Sequence, residues 1–423
     1  MAVAGACVSA CAPGPVDNST WTLRLPPETV VHRHPFVAPD DPRRQASQIE
    51  LVREWTAGDS AANAASPEAE DQEGVIYRAR RATVDRLGHT WVMDSGDASL
   101  KVFDDTGRFL RSVGGEGQGP AELGRFAAIV TSAGDQVVVS DDSSGRLSFW
   151  GLDGQHVGNA PIQVGDGPIR GYAELYGFDD GTFAGAFTEH RSSAAGGAQR
   201  ADLFWIFERL RSDGEALGRY AEAPTFPAHG SVGGRPRTVP AVSAVPRMAA
   251  TRDGDVYVTA ADKYQVLAFT REGALRWALR VDWPNAPYPA SEADRAVEAI
   301  EAMGRALGDD LSVDRSSIVL PDHAPAISQL RVDAAGRLYL FPWVQRWSGP
   351  NDDLDAPRPV DVYSRDGELL FNGQIEARFA IHDDQSPAWM GTHENSVRGL
   401  ETNPDTQELR LVSYRLSLPV WQE

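Results

Sequence analysis

The residues whose type and placement could do chemistry here are arginines. Arg125, Arg170 and Arg247 each stand at or near the start of a strand-like run, and Arg235 and Arg237 lie a little upstream of the run that opens at Met248. A guanidinium offers a planar fork of N–H donors that matches a carboxylate or a sulfate with two parallel bonds. Several such forks converging on one mouth would make an anion receptor. The chain also carries 60 acidic residues against 40 basic ones, so each arginine could equally be paired with a neighbouring Asp or Glu. Both readings stay open on the sequence.

Other chemistries find less support. Gly115-Glu116-Gly117-Gln118-Gly119 suggests a phosphate cradle, but Pro120 and a further strand-like run stand where a dinucleotide site needs a helix. The acid pairs Asp141-Asp142, Asp309-Asp310 and Asp352-Asp353 could ligate calcium, yet none has the alternating oxygen ligands of a loop site. They read as solvated turn acids. No cofactor is expected, and calcium is the one ion the acid pairs leave open. The nine histidines are scattered, with no His-Glu-x-x-His spacing, and there is no Gly-x-Ser-x-Gly elbow. Both cysteines, Cys7 and Cys11, fall in the first eleven residues. The rest of the chain therefore has no thiol nucleophile, thiolate zinc site or disulfide. No residue set amounts to an active site, and the balance leans away from an enzyme.

Charge and the N-terminus bear on partners and compartment. A net charge of -20 repels nucleic acid and anionic membrane. Val8-Ser9-Ala10-Cys11 resembles a bacterial lipobox, in which the cysteine is acylated after signal cleavage. On that basis residues 1–11 are the remnant of a lipoprotein signal and 12–45 a tether and lead-in. The protein is then expected in the cell envelope, lipid-anchored through Cys11, on the periplasmic or surface side. No basic n-region precedes the short apolar stretch, so an apolar N-terminus that merely contains two cysteines is the alternative. Elsewhere nothing approaches the roughly 18 apolar residues that span a bilayer.

What must position any site is a repeat. One unit runs Ala82 to Asp94 and Leu100 to Leu110. A second has Ala128 to Val130, Gln136 to Asp141 and Arg146 to Gly154. A third, more diverged, covers Tyr172 to Phe178, Asp180 to Phe183 and Leu203 to Glu215. A fourth has Met248 to Val258 and Gln265 to Gly273, and a fifth Leu330 to Leu340 and Val360 to Gly367. The last has Val397 to Glu401, a turn at Asn403-Pro404-Asp405, and Glu408 to Leu416. Each is four strand-like runs whose hairpin turns are rich in Asp and Gly, residues that tolerate positive φ. One sheet of this size cannot bury both faces, whereas several in a ring can, without a long exposed edge. The fold class expected is all-β, a six-bladed β-propeller of four-stranded antiparallel blades over residues 46–423. The sixth unit lacks its outer strand, and Ile49 to Trp55 is expected to close the ring against Leu409 to Leu416.

These units resemble NHL repeats, with their "Val-x-Asp" strand end and "Val-x-x-Phe-Asp-x-x-Gly" hairpin. Val113 to Leu123 is similar to the Gly-rich segment after the first blade of bacterial six-bladed propeller proteins, many of them predicted lipoproteins, and Tyr414-Arg415-Leu416 to that group's ending. The resemblance implies the fold. Six-bladed relatives also include calcium-dependent lactonases and zinc-dependent amidating lyases, which implies an alternative, a metal-dependent lactonase/esterase-like hydrolase or a lyase with its site at the channel mouth.

Loop lengths choose the face. Turns within hairpins are short, whereas Glu189 to Arg200, Pro224 to Pro246, Asn285 to Ala324, Pro342 to Pro359 and Ile381 to Asn395 are long. In a propeller the long connections emerge on one side, over one mouth of the channel, where function on a rigid scaffold tends to lie. His323 and His393 sit in or beside these segments, His323 being the one that could join the arginines. One insertion, about 290–308, reads as a helix capped by Ser291 and stopped by Gly308, with Val297, Ile300 and Leu307 as its apolar stripe. It is either a lid or a rim helix. The expectation for function is a monomeric binding or interaction module that presents this face to a protein, peptide or glycan partner.

Overall fold

The computed structural model describes residues 25–59, 74–124, 127–162, 172–193, 200–224, 227–232, 235–240, 246–259, 263–284, 287, 294, 298, 311–313, 323–343, 357–376, 391–393, 396–403, 405–406 and 408–418. Six four-stranded antiparallel sheets form a ring. Blade 1 comprises Ala79–Val84, Thr90–Asp94, Ser99–Phe103 and Phe109–Gly114. Blade 2 has Ala127–Ala133, Gln136–Asp141, Arg146–Gly151 and His156–Pro161. Blade 3 has Glu174–Gly177, Phe183–Ser193, Arg200–Leu210 and Ala216–Pro224. Blade 4 has Met248–Ala250, Val256–Thr259, Gln265–Phe269 and Leu275–Val281, and blade 5 has Ile327–Val332, Leu338–Pro342, Arg358–Tyr363 and Leu369–Ile375. In blade 6, Gly391–His393, Ser396–Thr402 and Leu409–Ser417 are completed by Glu50–Ala57 from the other end of the chain. The expected closure is present, with Leu51 opposite Leu416 and Ala57 opposite Leu411.

The middle strands of the blades are buried along their whole length, as in Thr90–Asp94, Ser99–Phe103 and Gln265–Phe269. Both faces of each sheet are covered, so these strands need not alternate apolar and polar residues. Between blades 1 and 2, Trp91, Met93 and Leu100 meet Val130, Val139 and Trp150. Between blades 5 and 6, Tyr339 and Phe341 meet Val412 and Tyr414. The Asp/Gly turns work as their composition suggests. Asp85 accepts from the N–H groups of Leu87 and His89 at 2.8 and 3.0 Å and from Trp91 Nε1 at 2.8 Å, while Gly88 takes φ 83°.

The lead-in is not a loose tether from residue 30 onward. Val30–His34 adds a fifth, parallel strand to the outer edge of blade 4. A short helix, Pro42–Gln45, follows, with Asp41 capping it by accepting from Arg43 N at 2.8 Å. Ile49 N then bonds Gln374 O at 2.8 Å on blade 5, and Glu50–Ala57 completes blade 6. The N-terminal segment is thus a strap across three consecutive blades. Its rivet is Arg44, 1% exposed. The guanidinium meets Asp361 at 2.6 Å and the carbonyls of Val360 and Val37 at 3.1 and 3.0 Å. Asp361 also accepts from Asn372 Nδ2 at 2.7 Å and from the Tyr264 hydroxyl.

In the 290–308 insertion, Asp294 and Glu298 are helical. Ser291, Val297, Ile300, Leu307 and Gly308 lie outside the described residues. No described helix is long and apolar enough to cross a membrane.

Because Asp361 is fully enclosed with Arg44, Arg44→Ala leaves a buried carboxylate without its partner, a change that costs about 3–5 kcal/mol. Urea unfolding of the full chain checks this. Pairing it with Asp361→Asn should return part of the loss, since no unpaired charge then remains.

Candidate functional site

The innermost strands line the channel, and their period of two decides what faces it. Ala82, Leu175, Met248 and Leu330 turn into the clusters between blades. Their predecessors Arg81, Glu174 and Arg247, from blades 1, 3 and 4, turn the other way, and their interaction with one another and with Arg331 of blade 5 places them about the channel. They occupy equivalent places. Arg81, Glu174 and Gln329 stand opposite Met93, Ala186 and Phe341, and Arg247 O accepts from Thr259 N at 2.9 Å. Tyr176 and Arg331, opposite Ala184 and Tyr339, make the next layer, towards the short-turn side.

These groups form one electrostatic unit. One Glu174 oxygen accepts from Met248 N at 2.7 Å, and the other lies 3.9 Å from Arg247 Nη1. The Tyr176 hydroxyl donates to Met248 O at 2.8 Å. Arg331 donates through Nη1 to Leu330 O at 3.0 Å. The Nε atoms of Arg331 and Arg247 are buried with no hydrogen-bond partner among the described residues. Burial pushes the Glu174 carboxyl up, against the pull of Arg247, the Met248 N–H, Arg331 and Arg81. Burial pushes the Arg331 guanidinium down; Arg81 and Arg247 add to this, Tyr176 and Glu174 oppose it. Burial, then the Glu174 charge, raises the Tyr176 phenol.

The opposite mouth is blocked. Arg252, in the first turn of blade 4, reaches across to donate to Val84 O of blade 1 and to Ser132 Oγ of blade 2 at 3.1 Å. Its own carbonyl accepts from Asp179 N of blade 3 at 2.9 Å. Arg252 thus closes the channel at the short-turn side, and the long connections lie on the other. There, Pro227–Val232 and Arg235–Pro240 form a hairpin that pairs with Leu311–Val313. The insertion after blade 3 is thereby joined to the insertion after blade 4, whose ends meet in a bridge between Pro287 and His323.

The expected site residues fare unequally. Arg247 lies in the channel. Arg125, Arg170 and Cys11 lie outside the described residues. Arg235 and Arg237 are on the hairpin strand, with side chains outside the description, and His323 is exposed at the neck of the insertion. The structure adds Arg81, Glu174, Tyr176 and Arg331 to the channel. The signal that would find Glu174, Tyr176 and Arg331 is a charged or hydroxylated residue flanked by apolar or small ones in a unit's first strand; Arg81, beside Arg80, lacks it.

Neither the glycine run nor the described acid pair is vacant. Glu122 fills the glycine segment, accepting from Gly119 N at 2.6 Å, and a Cβ on Gly117 would meet its carboxylate at 2.0 Å. Arg146 caps the carbonyls of Gly119 and Glu122 at 2.7 and 2.6 Å. The Asp at the end of the second strand pins the connection arriving from the preceding blade. Asp94 accepts from Tyr77 N and Arg78 N at 2.7 and 2.8 Å and pairs with buried Lys101 at 2.8 Å. Asp141 accepts from Gly124 N at 3.0 Å and from Ser143 and Ser144. Asp309, Asp310, Asp352 and Asp353 lie outside the described residues. Among the described residues no three His, Cys, Asp or Glu side chains come together as a metal site.

Asp142 gives this face a pH dependence. Burial, with the neighbouring Asp141 charge adding to it and a bond from Ser140 opposing it, raises its carboxyl to about 6. A carboxyl raised on folding takes nothing from stability below its unfolded value near 3.8 and exerts its full cost above 6. Asp142→Asn should therefore stabilise the protein by about 1 kcal/mol at pH 7.5, allowing for partial solvent screening, and by nothing at pH 3.5. Urea midpoints at the two pH values check it.

No protein-family model matches the sequence, and none of the curated proteins does. Solved structures do. A Bacteroides fragilis protein thought to be exported is similar over 92% of this chain and 99% of its own, at 9% identity and TM-score 0.49. A DUF4221 family member from Bacteroides vulgatus is similar over 89% and 99%, at 12% identity and TM-score 0.47. A streptogramin B lyase is similar over 81% and 94%, at 11% identity and TM-score 0.37.

Proposed function

We propose that this chain is an exported binding module of the NHL-repeat kind, held in the cell envelope by an acylated Cys11, whose protein, peptide or glycan partner docks on the long-loop face. The observation that carries the reading is the contrast between the two sides of the channel. Arg252 fills one mouth, while the connections on the other side include two insertions that share a three-stranded sheet. A channel closed at one end, on a scaffold elaborated at the other, suits a protein that receives one end of its ligand and holds the remainder with its loops. Metal-dependent hydrolysis or elimination at the same mouth is disfavoured by what faces it. Arg81, Arg247 and Arg331 act together on the space that a divalent cation would enter.

Two experiments test this. Peptide and glycan arrays are probed with the full chain and with a variant whose residues 227–240 are replaced by a short Gly-Ser loop. Binding by the parent and its loss in the variant, with the melting profile retained, are expected. Equal binding by both would remove the long-loop face as the docking surface. For the anchor, Cys11→Ser expressed in the native host should move the protein from the membrane fraction to the soluble one, and an unchanged distribution would discard lipidation at Cys11.

A further inference from the structure

The channel cluster is costly as it stands. Arg331 spends one bond on its own strand's carbonyl, and its Nε has no partner among the described residues. Arg247 is only loosely paired, 3.9 Å from Glu174, and its Nε is likewise unpartnered. Two guanidiniums from blades 4 and 5 thus face a space where the neighbouring carboxylate is already engaged by Met248 N. Like charges gathered in a poorly solvated channel are unfavourable unless a counter-charge joins them.

We propose that the blind channel is a receptor for a single carboxylate group, bound end-on between Arg331 and Arg247, with Arg81 adding to the attracting field. A carboxylate matches the guanidinium fork and brings one negative charge. Sulfate and phosphate bring more charge towards Glu174, whose carboxylate shares the layer with Arg247, and the repulsion grows accordingly. Glu174 shows the local chemistry on a small scale: a carboxylate held between a backbone N–H and a guanidinium of the adjacent blade. Arg252 sets the depth by closing the far end, so the carboxylate must be terminal or carried on a projecting ring. This proposal rests on the binding-module reading and names the chemical group that such a module would take.

The test uses the full chain and defined probes: N-acetylphenylalanine and its amide, galacturonate and galactose, and sodium sulfate. Binding is followed by calorimetry and by thermal melts at constant ionic strength. At least one of the two acids should bind and raise the melting temperature, its neutral counterpart should not, and sulfate should bind more weakly. The acid that binds distinguishes a peptide C-terminus from a uronate as the source. Arg331→Gln should weaken the binding acid at least tenfold, and Glu174→Gln should tighten it. If Arg331→Gln fails to fold, Arg247→Gln, which alters a partly exposed side chain, carries the same expectation. Acid and neutral probes that behave alike, no binding by either acid, or a folded Arg331→Gln that binds like the parent would overturn the proposal. The chain with residues 227–240 replaced separates the two readings. Acid binding that survives there while no array ligand is found sinks the docking-face reading alone. Array binding of neutral ligands with no acid binding sinks the carboxylate receptor alone.

Discussion

Ring closure is the constraint on which everything else in this protein depends. Every blade buries both faces against its neighbours, so an open ring would expose two sheet faces and an edge. The closing blade takes three strands from the C-terminal end of the chain and its outermost from Glu50–Ala57. Side chains reinforce that seam. Arg53 bonds Glu401 at 2.9 Å and the Tyr414 hydroxyl at 2.8 Å, and Glu54 accepts from Ser396 and Ser413, each at 2.7 Å. The strap that precedes the closing strand runs along blades 4 and 5 before reaching blade 6, so Arg44 and its buried partner Asp361 hold the closure from behind. Relative positions of the inner strands, and with them the channel, follow from this seam.

A closed ring also separates a stiff floor from a permissive roof. On the floor, successive turns are stitched to one another: Gly134 N donates to Phe178 O at 2.9 Å, Asp179 N to Arg252 O at 2.9 Å, and Gly177 N to Thr131 Oγ1 at 2.9 Å. Added length there would break bonds between blades. On the roof, incoming connections are pinned at their last residues, as Tyr77 and Arg78 are by Asp94 and Gly124 by Asp141. The segments before the pin can lengthen without disturbing the sheets. That difference is a physical reason for insertions to accumulate on one face, and it directs attention to the mouth beneath them.

The fold was legible in the sequence because each of its causes is local and repeated. The strand-end Asp marks the first two units, the polar turns and the hydrophobic runs recur along the chain, and the missing outer strand of the last unit points to Ile49–Trp55. The strap was less legible. Val30-Val31-His32-Arg33-His34 has a strand's composition, but nothing in it names blade 4 as the sheet it joins, because parallel addition to an outer edge leaves no turn signature. The site was legible only in part. Arg247 was found because it begins a strand. Arg331 was not, because an arginine between apolar neighbours in a strand looks the same whether it points into a channel or into solvent, and Arg81 follows a second arginine, Arg80. Only the register of one blade against another decides which, and Glu174 and Tyr176 were hidden for the same reason.

Overall charge and channel charge have opposite signs, and that contrast constrains what could bind. With a net charge of -20, the outer surface repels any polyanion at long range, but salt screens this beyond about 8–10 Å. Inside the channel, where burial shifts Glu174 and Arg331, the interaction with Arg331 and Arg247 is strong at short range. A ligand with many negative charges pays the outer repulsion on every one of them and gains the inner attraction on few. A ligand with a single acidic end and a neutral body pays it once and gains it fully. The protein's composition and the cluster at its axis therefore select together for weakly charged ligands with one terminal acid, a selectivity neither would give alone.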